Sequence, residues 1–269
     1  MFRNVLKLSA FAFCSILAVS CANERTIQTS SNMVERVYVV SNFNSVSADK
    51  QVNVAITTGE EFSVKAVVPE NLRDYFVVSR EGNRLVISNK NVSLKINNKE
   101  KEPVIYVTMP ALGAVDASGQ SVVRVSGGVT SDFRVTASGQ SDVEFKSALS
   151  VSSLVAQGSQ QSDIDFGNVT AGSFVAKTIG QSDVNMDELV VRGNARISVS
   201  AQSSVDFEKI QAAGNVDMDA SGQASIDGKH LSAKGGEVSA SGQSSIKVKH
   251  TQGAFNSSSS QQASCSLKR

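Results

Sequence analysis

The chain has 269 residues, with 26 basic against 25 acidic side chains and a net charge of +1, so no global field draws it to nucleic acid or to an anionic membrane. It has no Trp and only 6% aromatic residues, which leaves few stacking platforms for sugars or single strands. Three cysteines exclude a disulfide-built fold, so stability must come from packing.

The first element is an export segment. Arg3 and Lys7 form a basic head, and "LSAFAFCSILAVS" at 8–20 supplies an apolar stretch. A membrane-crossing helix takes about 20 residues, so this stretch suits a secretory signal instead. The segment ends in "LAVSC" and resembles a bacterial lipoprotein signal with Cys21 as the lipidated first mature residue. Ala18 stands where such signals usually carry a large aliphatic residue, and Ala18-Val19-Ser20 also suits ordinary cleavage. Residues 1–20 are thus the predicted signal peptide and 21–33 a flexible tether. With Cys14 in the signal and Cys21 lipidated, Cys265 has no intramolecular disulfide partner.

Residues 34–111 read as β-structure. "QVNVAIT", "FSVKAVV", "YFVVSREGNRLVISN" and "PVIYVTM" alternate apolar and polar residues, and Glu81-Gly82-Asn83 is a hairpin signal. The polar stretch 91–103 reads as an exposed loop. The segment suits either a separate small β-sandwich or the irregular beginning of the array that follows it.

That array is marked by "ASGQSDVEF" and its variants. Alignment on Gln120, Gln140, Gln161, Gln181, Gln202, Gln223, Gln243 and Gln262 gives spacings of 20, 21, 20, 21, 21, 20 and 19 residues. A period this regular signals a repeat architecture. Three residues after the Gln stand Val123, Val143, Ile164, Val184, Val205, Ile226, Ile246 and Cys265. Five after it stand Val125, Phe145, Phe166, Met186, Phe207, Gly228, Val248 and Leu267, with mostly polar residues between the two sets. Period-two alternation is a strand with one face to a core and one to water. A second alternating stretch precedes each Gln (Phe133 and Val135, Leu154 and Ala156, Phe174 and Ala176 in successive units), and Val129, Leu149, Val169, Leu189, Ile210 and Leu231 suggest a third short side. Gly and Ser at "SGQS" suit a tight corner.

These units predict an all-β fold, a parallel β-helix or β-solenoid with about 20 residues per coil, its coils stacked about 4.8 Å apart so that like residues form ladders. A single domain over 34–269 follows, with 34–111 as irregular first coils and cap and 112–269 as regular repeats. A solenoid end needs such a cap because it otherwise exposes core and unpaired strand edge. In this scheme Cys265 is a small core residue in the Val/Ile ladder.

An exported chain in which irregular strands and "VTMPAL" lead into recurring "ASGQSDV" coils resembles the head GIN domain family of auto-transporter adhesins, found among Bacteroidetes-type exported lipoproteins. The resemblance covers roughly residues 37–250. It implies a right-handed parallel β-helix and a cell-envelope location, and carries no catalytic residues.

Among residues that suggest chemistry, Asp142, Asp163 and Asp183 stand two after the Gln in consecutive coils, with Glu144, Asp165, Asp206 and Asp227 two further on. Stacked carboxylates suit Ca²⁺; equally, they suit a solvated face neutralised by Arg134, Lys146 and Lys177. His230 and His250 lie one coil apart, a weak transition-metal pair beside Lys229 and Lys249. The Gln120, Gln140, Gln161, Gln181, Gln202, Gln223 and Gln243 ladder suits amide-to-amide hydrogen bonding along the stack. The coils vary by one residue and carry no long insertion, whereas a catalytic cluster requires a break in the repeat. The sequence therefore predicts a non-catalytic envelope binding or adhesion module that presents flat faces to a glycan, protein or surface partner. The alternatives are a polysaccharide-processing enzyme and a purely structural spacer. No cofactor is expected beyond the Ca²⁺ candidate, no nucleic-acid partner, and membrane attachment only through a lipid on Cys21 of an outer-membrane lipoprotein.

Overall fold

The structure, a computed structural model, describes residues 25–90, 92–95 and 102–269. The signal peptide and Cys21 lie outside the described residues. Part of the expected tether and part of the expected loop are ordered strands: β1 (Arg25–Gln28) pairs in parallel with β8 (Val92–Lys95). Each is only four residues long, and Val92–Lys95 is embedded in a polar stretch, so neither reads as a strand alone. Their backbone groups are satisfied by the pairing, which no local pattern announces.

Between them come β2 (Met33–Tyr38), β3 (Ser45–Ala48), β4 (Asn53–Thr58), β5 (Ser63–Pro69), β6 (Phe76–Glu81) and β7 (Arg84–Asn89), and after them β9 (Val104–Met109). Their order along the stack differs from their order in the chain. β3 and β4 lie between two rungs, pairing in parallel with β7 and β9 on one side and with the first regular coil on the other. The chain therefore lays down the second rung first, travels outward to build the end rung, and returns. Three antiparallel pairings close that end: β6 with β7 through the hairpin at Gly82 (φ 63°), β5 with β9, and β2 with β5. Leu72 is fully buried there, and the Phe43 and Phe62 rings meet at 4.9 Å. Residues 34–111 thus cap the same sheet as the regular coils.

The regular coils comprise β10 (Ala114–Ala117), β11 (Val122–Ser126), β12 (Asp132–Ala137), β13 (Asp142–Phe145), β14 (Leu149–Gln160), β15 (Asp163–Gly180), β16 (Asp183–Val191), β17 (Ala195–Ala201), β18 (Ser204–Ala212), β19 (Val216–Gly222), β20 (Ser225–Gly242), β21 (Ser245–Ser259) and β22 (Ser264–Leu267). All pairings among them are parallel. After the glutamine, Val123, Val143, Ile164, Val184, Val205, Ile226, Ile246 and Cys265 pair in that order. Before it, Phe133, Leu154, Phe174, Ala195 and Val216 do the same. The third face begins as regular strand at Leu149 and continues through Val169, Leu189, Ile210 and Leu231. Val129, one coil earlier, falls outside any strand and is only half-buried.

Each rung is too thin to shield its own apolar residues, so burial comes from the rungs above and below. One continuous core runs from Phe43 in the cap to Val248 in the last full coil.

Candidate functional site

Two corners of the coil carry the side chains of interest. At the first, the residue before each ladder glutamine has a positive φ. Glycines fill most of these places (Gly119 70°, Gly139 76°, Gly180 100°, Gly222 80°, Gly242 79°), but Lys50 68°, Gln160 66°, Ala201 66° and Gln261 62° adopt the same conformation. No two neighbouring rungs both carry a side chain there. At the glycines a Cβ would meet the backbone of the preceding rung: one at Gly139 would lie 2.8 Å from the Gly119 carbonyl oxygen, and one at Gly180 would lie 2.8 Å from the Gln160 nitrogen.

The serine after the glutamine points inward and is buried in most coils. Its hydroxyl staples the corner: Ser141 Oγ donates to Ser138 O at 2.8 Å or Ala117 O at 3.1 Å, and accepts from the Ser138 N–H at 3.1 Å. Ser244 repeats the arrangement with Ser241 and Ala220. A buried hydroxyl with partners is tolerated where an unpaired one is costly.

The glutamines themselves lie outside, and each Nε2 donates to the Oε1 of the next at 2.8–3.1 Å, unbroken through Gln120, Gln140, Gln161, Gln181, Gln202, Gln223 and Gln243 to Gln262. The row starts earlier than the repeat suggested, because Gln51 donates to Gln120 at 2.7 Å. Gln51 lacks the Ser-Gly signature, and the positive φ of Lys50 was its hidden counterpart. With their amides engaged along the row, the glutamines act as a rail that fixes the register of the coils.

The calcium candidates are in register, Asp142 beside Asp163 and Asp163 beside Asp183. Burial raises the pKa of Asp142 above the ordinary carboxylate value, as does nearby Asp165, while Arg124 opposes the shift. Asp163 is raised by burial first and then by Asp183, Asp142 and Asp165. Asp183 instead accepts hydrogen bonds from Ser204 N and Oγ at 3.1 and 2.7 Å. The row is a line of mutually repelling carboxylates on separate rungs; among the described residues no three His, Cys, Asp or Glu side chains converge as metal ligands. His230 and His250 stack at 4.9 Å and 13°, in a hollow of about 270 Å³ that also holds Lys209 and Arg269. Cys265 sits half-buried above Ile246, its thiol donating to Ser258 O at 3.2 Å and its pKa raised by burial.

The second corner, where the strand after the glutamine bends into the third face, forms a groove of about 860 Å³ along the stack. Its floor is apolar: Phe145, Phe166, Met186, Phe207 and Val248 contribute their edges. The Phe145 and Phe166 rings stack at 4.8 Å and 12°. Both rims are charged, and the sign changes along the axis. Asp165, Asp187, Asp206 and Glu208 line the earlier rungs, and Lys229, Lys247, Lys249 and Lys268 the last ones. Glu144 is neutralised by Arg124 at 3.5 Å and by Lys146, and Glu208 pairs with Lys229 at 2.5 Å. Among the described residues, no ion pair engages Asp165, Asp187, Asp206 or Asp227 on one side, or Lys247, Lys249 or Lys268 on the other. Burial raises the Asp206 pKa, and Asp227 and Asp183 add to the rise against the hydrogen bond from Ser204. The sequence displayed the acidic members as a surface stripe. The lysine end is less visible there: Lys247 shares the offset of Asp165, Asp206 and Asp227, whereas Lys229, Lys249 and Lys268 stand two positions further along, beyond the bend.

Residues 42–212 match the family described as "Putative auto-transporter adhesin, head GIN domain". The chain belongs to this family. Solved structures agree on the fold of this head GIN domain protein. A crystal structure titled a putative adhesin, from Parabacteroides merdae, superposes with a TM-score of 0.77 at 12% identity, covering 91% of this chain and 100% of that one. A second, from Parabacteroides distasonis, gives 0.74 at 13% identity over 90% and 98%. A third, titled a putative lipid binding protein from the same species, gives 0.54 at 15% identity over 88% and 100%. None of the curated proteins matches the chain in sequence. Among the described residues, no helix of this head GIN domain protein is long and apolar enough to cross a membrane.

Proposed function

We propose that this head GIN domain protein is a non-catalytic binding and adhesion module of the cell envelope, exported and held at the outer membrane by a lipid on Cys21. The observation that carries the reading is the groove, which crosses successive coils with an apolar floor and unpaired charges on its rims. An apolar floor beneath a polar rim is the general anatomy of a recognition surface. Groove carboxylates recur at equivalent places on several rungs, as in Asp165, Asp206 and Asp227 with Asn185 between the first two, which suits a surface read along its length better than a single reacting centre. The cap and the stapled corners keep that surface rigid, so little ordering entropy is lost on binding.

The test is adhesion of beads coated with the mature protein to glycan arrays and to immobilised envelope protein, with bound ligands assayed for released reducing ends or unsaturated sugars. Retention without turnover supports the reading; turnover assigns an enzyme, and no retention on any surface favours a spacer. The anchor is tested separately: Cys21→Ala is expected to abolish labelling by a palmitate analogue and to shift the protein from the membrane to the soluble fraction.

A further inference from the structure

Beyond the Glu208–Lys229 pair, the groove leaves opposite charges apart at the step where its sign changes. Asp227 and Lys247 are register partners on adjacent rungs, about 4.8 Å apart along the stack, yet they form no ion pair. The result is a field directed along the groove, negative over the rungs of Asp165, Asp187 and Asp206 and positive over those of Lys247, Lys249 and Lys268. Charged rims over an apolar, low-dielectric floor concentrate such a field. A ligand of one sign is attracted at one end and repelled at the other. The best complement is a linear chain that carries both signs, separated along its length.

We propose that the groove binds an extended peptide segment with a cationic block over Asp165, Asp187 and Asp206 and an anionic block over Lys247, Lys249 and Lys268. This rests on the binding reading above and names its partner class. From the rung of Phe145 to that of Ser266 and Lys268 the groove spans six rung steps, roughly 29 Å at about 4.8 Å per step. An extended peptide advances about 3.3 Å per residue, so about nine residues fill it. The floor selects against other linear ligands. Phe145, Phe166 and Phe207 are 5%, 4% and 4% exposed, so they offer ring edges and no open face on which a sugar could stack. Such edges suit alternate apolar side chains of a strand-like segment. A nucleic acid or acidic polymer meets the carboxylate half with like charge, and an acyl chain needs enclosure that an open groove lacks.

The test uses labelled nonapeptides and fluorescence anisotropy with the mature protein at low salt. The first probe is Lys-Lys-Lys-Leu-Ala-Leu-Asp-Asp-Asp. The second has the same composition with the charges alternating, Lys-Asp-Leu-Lys-Asp-Ala-Lys-Asp-Leu. An all-Asp nonapeptide is the third. The blocked peptide is expected to bind at least tenfold more tightly than either of the others. The exposed double variant Lys247→Glu/Lys249→Glu, checked for an unchanged melting temperature, is expected to weaken it at least tenfold, whereas Gln202→Ala in the glutamine row, outside the groove lining, leaves the affinity alone. Equal affinity for blocked and alternating peptides, preference for the all-Asp probe, or no binding of any probe at millimolar concentration overturns the proposal. Bead adhesion with no peptide preference removes only this proposal; failure of both removes the adhesion reading as well.

Discussion

The ring of Phe207 occupies the space that a side chain at Gly228 would need: a Cβ there would stand 2.1 Å from Phe207 Cζ. The two residues are register partners in the ladder that floors the groove, and the large one fills the rung of the small one. Gly228 has no positive φ, so its role is room for the ring and not backbone freedom.

Gly228→Ala is therefore an overpacking change. It is expected to destabilise by about 1–3 kcal/mol, measured by urea unfolding. Adding Phe207→Leu frees the space, so the double variant is expected to unfold at a higher urea concentration than additivity of the single changes gives.

The corner residues predict opposite outcomes for two small changes. Ala201 holds φ 66°, a conformation that a Cβ disfavours, so Ala201→Gly is expected to stabilise by roughly 0.5–1 kcal/mol despite the freer unfolded chain. Gly180→Ala introduces a Cβ between Gln160 and Ala201 and 2.8 Å from the Gln160 nitrogen. It is expected to destabilise by at least about 1–2 kcal/mol, and thermal melting of the pair measures both signs.

Val184 is fully buried between Ile164 and Val205. Val184→Asp leaves a carboxylate in an apolar ladder with no partner, and is expected to unfold the surrounding coils, with loss exceeding about 4 kcal/mol. Melting like the parent protein would remove the inward assignment of this ladder.

The stacked aspartates set a pH dependence. Asp163 has a folded pKa above its ordinary value of 3.8, by burial first and then by its acidic neighbours. Within the window from 3.8 up to that raised value the folded state holds more protons than the unfolded one, so stability falls as pH rises through it. Above the window the ionised row is a liability. Asp163→Asn is expected to raise stability at pH 7 by roughly 0.2–1 kcal/mol, the range for like charges opposed across strands. The gain is expected to vanish below pH 3.8, which melts at both pH values test.

The stacking of like residues was legible because a coil exposes its periodicity directly: one rung must bury the same positions as its neighbour, so Val143, Ile164 and Val184 share an offset as well as a core. The glutamine rail was legible for the same reason, except at Gln51, whose place depends on a strand laid down 69 residues before its partner Gln120. The cap was legible as β-structure but not as an order of rungs. Nothing local in β3 states that β7 and β10 will enclose it, because parallel pairing is set by long-range burial and not by the turn that follows a strand. The groove depended still more on the tertiary structure. Asp187 and Lys249 have unremarkable neighbours in the chain, and a concave rim of opposed charge exists only once the coil bends and the rungs align. Periodic burial is written residue by residue, whereas the shape of a corner and the field within it arise from the sum of the coils.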